Sequence, residues 1–187
     1  MRPRRIFVAI NLPDDVKEKL LEYKNAWQEI PARWAKKENL HLTLTFLGNV
    51  SEQELPEIIR LLQTVGTRHS PFEVQITRLQ YGPDERRPRM IWAMGEKSSE
   101  FLELQKDVER TLAAENLYTP EARSFSPHLT LARFQTTQFR QMDPEERPEI
   151  AEKISLSFQV KSLELMESKL KRSGAEYTIL QSFMLKK

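Results

Sequence analysis

The sequence predicts an α+β protein built from antiparallel strands, arranged as two pseudo-symmetric lobes. Three observations lead there. Strand-like runs follow one another without an intervening helix at several points. Such neighbours pair as hairpins, whereas an all-parallel sheet needs a helical crossover after every strand. The tetrapeptide His-Leu-Thr-Leu occurs at 41–44 and again at 128–131, each copy with a helical pattern upstream. No linker or low-complexity stretch separates the copies, so residues 1–187 read as a single domain made of two lobes.

The elements come in this order. Ile6 to Ile10 is a short β-branched and aromatic run, a buried strand. Pro13-Asp14-Asp15 opens a helix, with proline in its first turn and acids at its positive end. Val16, Leu20, Leu21, Tyr23 and Trp27 form its apolar stripe. Leu40 to Leu47 is a strand closed by Gly48-Asn49, and Ser51 with Glu54 has capping-box spacing for a helix towards Thr67. Pro71 to Tyr81 and Arg89 to Gly95 are strands joined by a polar turn. Ser98 or Ser99 caps a helix carrying Phe101, Leu102, Leu104, Val108 and Leu112. His128 to Arg133 is a strand, and Gln135 to Arg147 reads as an exposed loop leading into a short helical turn. Ile154 to Glu167 and Ala175 to Leu185 are the final strands, flanking a turn at Lys171-Arg172-Ser173-Gly174. The inventory comes to about seven strands and three helices.

Composition narrows the function. Of 187 residues, 29 are basic and 27 acidic, a net charge of +2, which excludes a protein that coats nucleic acid electrostatically. Any nucleic-acid contact belongs in a local cleft, on a short or terminal segment. Cysteine is absent, which removes disulfides, thiolate metal sites and thiol nucleophiles together and fits a cytoplasmic setting. The apolar run after the basic N-terminus is too short for a signal peptide or a membrane span. Nothing calls for more than a monomer.

The repeated tetrapeptide carries the chemistry. Side chains two apart on a strand share a face, so His41 stands beside Thr43 and His128 beside Thr130. Leu42, Leu44 and Phe46 are expected on the opposite, core face, as are Leu129 and Leu131. Two imidazoles and two hydroxyls around one small volume suit a phosphodiester. Histidine exchanges protons near neutral pH, one ring activating water and the other protonating the leaving oxygen. Threonine hydroxyls donate to the non-bridging oxygens. No metal or other cofactor is required, and no His-Glu-x-x-His, cysteine cluster or glycine-rich phosphate loop is present. Asp14-Asp15 is accounted for by the helix start. His69 reads as a solvated residue at a helix C-terminus and is left out of the site.

With those motifs in view, the chain resembles the two-histidine phosphoesterases, whose signature is a pair of His-x-Thr/Ser-x motifs. It is most similar to the bacterial and archaeal RNA 2′,3′-cyclic phosphodiesterases formerly called 2′-5′ RNA ligases. The likeness includes Arg5 to Ile10, Arg33-Trp34, Asn39 to Leu44 with Phe46-Leu47-Gly48, and Phe125-Ser126-Pro127 leading into His128 to Arg133. Glu167 to Leu170, Gly174 and Tyr177 complete it. Ser126 departs from the histidine that relatives often carry there. The resemblance implies antiparallel sheets lining a central cleft with helices outside. It also implies that His41 donates a proton to the leaving 3′-oxygen, that His128 is the proton acceptor, and that Thr43 and Thr130 hold the phosphate. The implied partner is RNA with a 2′,3′-cyclic phosphate terminus, or a small cyclic nucleotide, opened to a 2′-phosphate. Ligation through a 2′-5′ bond, the reverse transfer, is the alternative on the same site. A purely binding RNA-end module would not need two titratable groups. Arg133 matches a family arginine that could neutralise phosphate, although strict alternation turns it away from His128. Phe7 could stack on a base at the cleft rim. Arg86, Arg87 and Arg89 read as a solvated turn.

Overall fold

The computed structural model describes residues 3–120, 124–171 and 174–186. In chain order, β1 (Arg4–Asn11) leads through α1 (Asp14–Glu22) to β2 (Ala32–Trp34) and β3 (His41–Val50). Next come α2 (Leu55–Arg68), β4 (Phe72–Gly82), β5 (Met90–Gly95) and α3 (Ser99–Ala114). The chain closes with β6 (His128–Phe134), α4 (Thr136–Gln141), β7 (Lys153–Val160), β8 (Ser162–Lys171) and β9 (Gly174–Met184). Nine strands among the described residues exceed the expected seven for two reasons. The three residues of β2 are too few to show a period, and Ile154 to Glu167 is two strands split at Lys161 that lie in different sheets.

All pairings are antiparallel, in two sheets ordered β3-β1-β8-β9 and β2-β6-β5-β4-β7. Laid side by side, β3-β1-β8-β9 corresponds to β6-β5-β4-β7, with β2 added beyond β6. The predicted pseudo-symmetry is therefore present, but the lobes are not the two halves of the sequence. β2, from the first half, joins the second sheet, and β8 and β9, from the end of the chain, complete the first. One buried apolar cluster draws side chains from both sheets.

Local sequence explains the elements that matter for the site. β1 lies inside its sheet and is covered on both faces, so Ile6 to Ile10 are at most 1% exposed and the run is continuously apolar. β4 has one wet face: Phe72, Val74 and Ile76 are buried while Glu73 and Gln75 are exposed. α2 packs Ile58, Leu61, Leu62 and Val65 inwards near β8 and β9, and the Ser51 amide donates to Glu54 Oε2 at 2.7 Å in the turn before it. Ser98 Oγ accepts from the Phe101 amide at 3.2 Å to start α3, which buries Phe101, Leu104, Val108 and Leu112. Each such side chain contributes about 1.5–3 kcal/mol through removal from water.

Two expectations are corrected outside the cleft. His69 is not solvated. Its Nε2 lies 2.9 Å from Oδ2 of Asp107, a carboxylate 5% exposed that also pairs with Arg68 and Arg110. Burial works against charge on Asp107, but the bonds from His69 and Arg110 and the nearby Arg68 outweigh it and hold the carboxyl below its ordinary range. This cluster fastens the end of α2 to α3. The stretch from Gln135 to Arg147 ends in the expected short helical turn, at Pro144–Glu146, but the part before it is not an exposed loop. It contains α4, whose Phe139 stacks on Phe134 at 4.0 Å and is 3% exposed, with Arg147 over its other side at 4.9 Å. A single buried aromatic in six residues gives no periodic signal. The turn at Arg172 and Ser173 lies outside the described residues.

Candidate active site

His41 and His128 begin β3 and β6, and both line one cleft of about 410 Å³. Thr43 and Thr130 line it with them. Each imidazole is held in the same way. His41 Nδ1 lies 2.8 Å from the carbonyl of Asn39, and His128 Nδ1 lies 2.8 Å from the carbonyl of Ser126. A carbonyl only accepts, so Nδ1 carries the hydrogen in both rings and Nε2 becomes the nitrogen that exchanges protons. The departure at Ser126 is neutral for this purpose, because its backbone oxygen does the holding.

A second shared feature is a bulge at the fourth residue of each tetrapeptide. In β3, Val8 pairs with Thr45 and Ala9 with Thr43, which skips Leu44. In β6, Ile91 pairs with Ala132 and Trp92 with Thr130, which skips Leu131. An extra residue reverses the facing of the residues that follow it, up to any further bulge on the strand. Arg133 therefore turns into the cleft, where it joins His128 and Thr130. Phe46, expected in the core, is instead 56% exposed on the cleft wall. The aromatic at the rim is thus Phe46 and not Phe7. Phe7 is 1% exposed and lies beneath His41, with ring centroids 4.9 Å apart. It supports the imidazole and cannot offer a face to a base.

The two histidines differ in their surroundings. His41 sits against Phe7 and, edge-on at 4.9 Å, Tyr177. Burial pushes it down to about 4, and positive Lys17, His128 and Arg133 push the same way against the bond to Asn39. His128 instead stacks on Trp92 at 3.9 Å and 28°. The registers explain the difference, because the position opposite Thr43 is Ala9 and the one opposite Thr130 is Trp92. Gly82 makes room for that indole, since a Cβ there would overlap the Trp92 ring. The Met90 sulfur gathers three donors: Trp92 Nε1 at 3.4 Å, Thr130 Oγ1 at 3.9 Å and Arg133 Nη1 at 3.3 Å. Sulfur is a weak acceptor, so an anion could readily draw the threonine and arginine away from it.

Sequence reasoning did not single out Trp92 or Met90, and it placed Phe46 in the core. Trp34, Arg33 and Tyr177 entered only through family likeness, and all three line the cleft. Arg86, Arg87 and Arg89 do not line it. Among the described residues no group of three or more His, Cys, Asp or Glu side chains is placed to hold a metal ion, and no helix is long and apolar enough to cross a membrane.

Comparison with known proteins agrees with this architecture. Residues 13–172 match the model of the 2′-5′ RNA ligase superfamily. The RNA 2′,3′-cyclic phosphodiesterase of Thermus thermophilus is 31% identical, over 97% of this chain and 90% of that protein. The one from Methanocaldococcus jannaschii is 26% identical, over 96% and 99%. Among solved structures, TT0787 of Thermus thermophilus superposes with a TM-score of 0.84 at 30% identity, covering 97% of each chain. Escherichia coli LigT complexed with 3′-AMP gives 0.77 at 26% identity over 99% of each. The matched motifs, the paired sheets and the cleft between them place this chain in the 2′-5′ RNA ligase superfamily, to which it belongs.

Proposed function

We propose that this protein opens 2′,3′-cyclic phosphates at RNA ends to 2′-phosphates, without a metal, using His41 and His128 as its proton-transfer pair. The observation that carries the reading is the matched pair of imidazoles, each with Nδ1–H on a backbone carbonyl and each facing the cleft beside a threonine. Relatives named for this reaction support it. A cytoplasmic setting belongs to the same proposal.

In this reaction a water oxygen attacks phosphorus as His128 Nε2 takes its proton, and the bond from phosphorus to the 3′-oxygen breaks. The 3′-oxygen takes the proton held on His41 Nε2, so the products are a 3′-hydroxyl and a 2′-phosphate. Thr43, Thr130 and Arg133 donate to the non-bridging oxygens where charge accumulates. A donor must hold its proton beforehand, yet burial keeps His41 neutral at pH 7. The phosphodiester anion supplies the missing counter-charge, so His41 is loaded by the substrate itself.

One observation favours the exchanged roles. His128 lies on the π face of Trp92, which favours a cationic ring, while His41 is the ring depressed by burial. A cyclic phosphate with sulfur in place of the bridging 3′-oxygen separates the two, because a thiolate leaves without being protonated. His41→Ala and His128→Ala should each abolish most turnover of the ordinary substrate in EDTA. Only His41→Ala should recover on the sulfur substrate. Recovery of His128→Ala instead exchanges the roles, and loss of wild-type turnover in chelator removes the metal-free mechanism.

A further inference from the structure

A second groove, of about 720 Å³, opens from the reaction cleft and shares Thr43, Phe46, Trp92 and His128 with it. Beyond these residues its walls change character. Arg78 on β4, Lys97 before α3 and Lys106 on α3 stand around it, and none forms an ion pair with a carboxylate among the described residues. The acid in the groove among the described residues, Glu109, accepts from the Tyr118 hydroxyl at 2.8 Å. Thr45 and Gln80 line it too, with Thr45 Oγ1 and Gln80 Oε1 buried behind the surface without hydrogen-bond partners. Thr45 is 3% exposed, on the bulged stretch of β3 that also turns Phe46 outwards.

We infer that this groove holds the single-stranded RNA leading to the cyclic phosphate, so the preferred substrate is an oligonucleotide and not a cyclic mononucleotide. The inference rests on the proposed cyclic-phosphate reaction. A 2′,3′-cyclic phosphate occupies both ribose oxygens of the last nucleotide, and the chain continues only from its 5′-oxygen. With phosphorus between the two rings, the groove beside His128 gives that chain a path. Its phosphodiesters meet Arg78, Lys97 and Lys106.

The test uses a labelled tetraribonucleotide ending in a 2′-phosphate, which mimics the product and is not turned over, beside a nucleoside 2′-monophosphate. Affinities are measured across a salt series for the wild type, for Lys97→Ala/Lys106→Ala, and for Lys19→Ala/Lys24→Ala as a charge control on α1 and the turn after it. The groove variant should bind the tetranucleotide at least about tenfold more weakly, with a salt slope smaller by about 1.4, since each single-strand phosphate contact contributes about 0.7. Its affinity for the mononucleotide should not change, and the control should match the wild type. Unchanged tetranucleotide affinity and slope, or equal weakening of both ligands, overturns the proposal. Turnover by the wild type of the same tetranucleotide ending in a 2′,3′-cyclic phosphate is followed in parallel. Its absence overturns the reaction, while the product-end affinities still decide the groove.

Discussion

Removing the His41 imidazole should change how stability depends on pH in a direction set by its enclosure. The folded protein resists protonating this ring until pH about 4, whereas in the unfolded chain it takes a proton at its ordinary value of 6.5. Below 6.5 the unfolded state therefore binds more protons, and stability falls as pH falls. The contribution is fully present above 6.5, declines through the window down to 4, and is gone below it. At about 1.4 kcal/mol per unit, the loss from pH 7.5 to 4.5 is about 2–3 kcal/mol from this one group. Urea unfolding followed by tryptophan fluorescence, on the wild type and His41→Gln at both pH values, isolates the term. The carboxylates held by Arg4, Lys169 and the Asp107 cluster titrate in both proteins and cancel in the difference. The wild type should lose about 2–3 kcal/mol more than the variant. Parallel losses would mean that the ring is solvated in the folded state, and the argument that substrate loads its proton would fall with it.

Two further outcomes rest on particular contacts. Gly82→Ala should displace the Trp92 indole and with it the stacked His128 ring, lowering kcat by about tenfold to a hundredfold with little change in KM, since orientation of a proton-transfer group is what is lost. Unchanged kcat would show that Trp92 does not position His128. Asp107→Asn should destabilise the protein by about 2 kcal/mol in urea unfolding at pH 7, because charge-assisted bonds to His69 and Arg110 are weakened, while turnover at low temperature stays normal.

Much of this protein could be read along the chain, and where reading stopped has a physical cause. The duplicated His-Leu-Thr-Leu revealed the pseudo-symmetry and the paired imidazoles, because period-two alternation is local and each copy carries it whole. The α+β class, the helix that follows Ser51 and the one capped at Ser98 were equally local. Phe46 and Arg133 could not be placed, since their facing depends on a bulge visible only when β3 is laid against β1 and β6 against β5. Phe7 was misplaced because strand position does not tell which neighbours will close over a ring. The division of lobes was hidden too, since β2, β8 and β9 pair with segments far away in the chain.

The residue string alone thus determined which groups could move protons and that there would be two of them, matched. Tertiary structure alone decided that the two are unlike. Phe7 and Tyr177 enclose one ring and Trp92 underlies the other, because burial and stacking are properties of partners assembled across sheets and no stretch of sequence contains them.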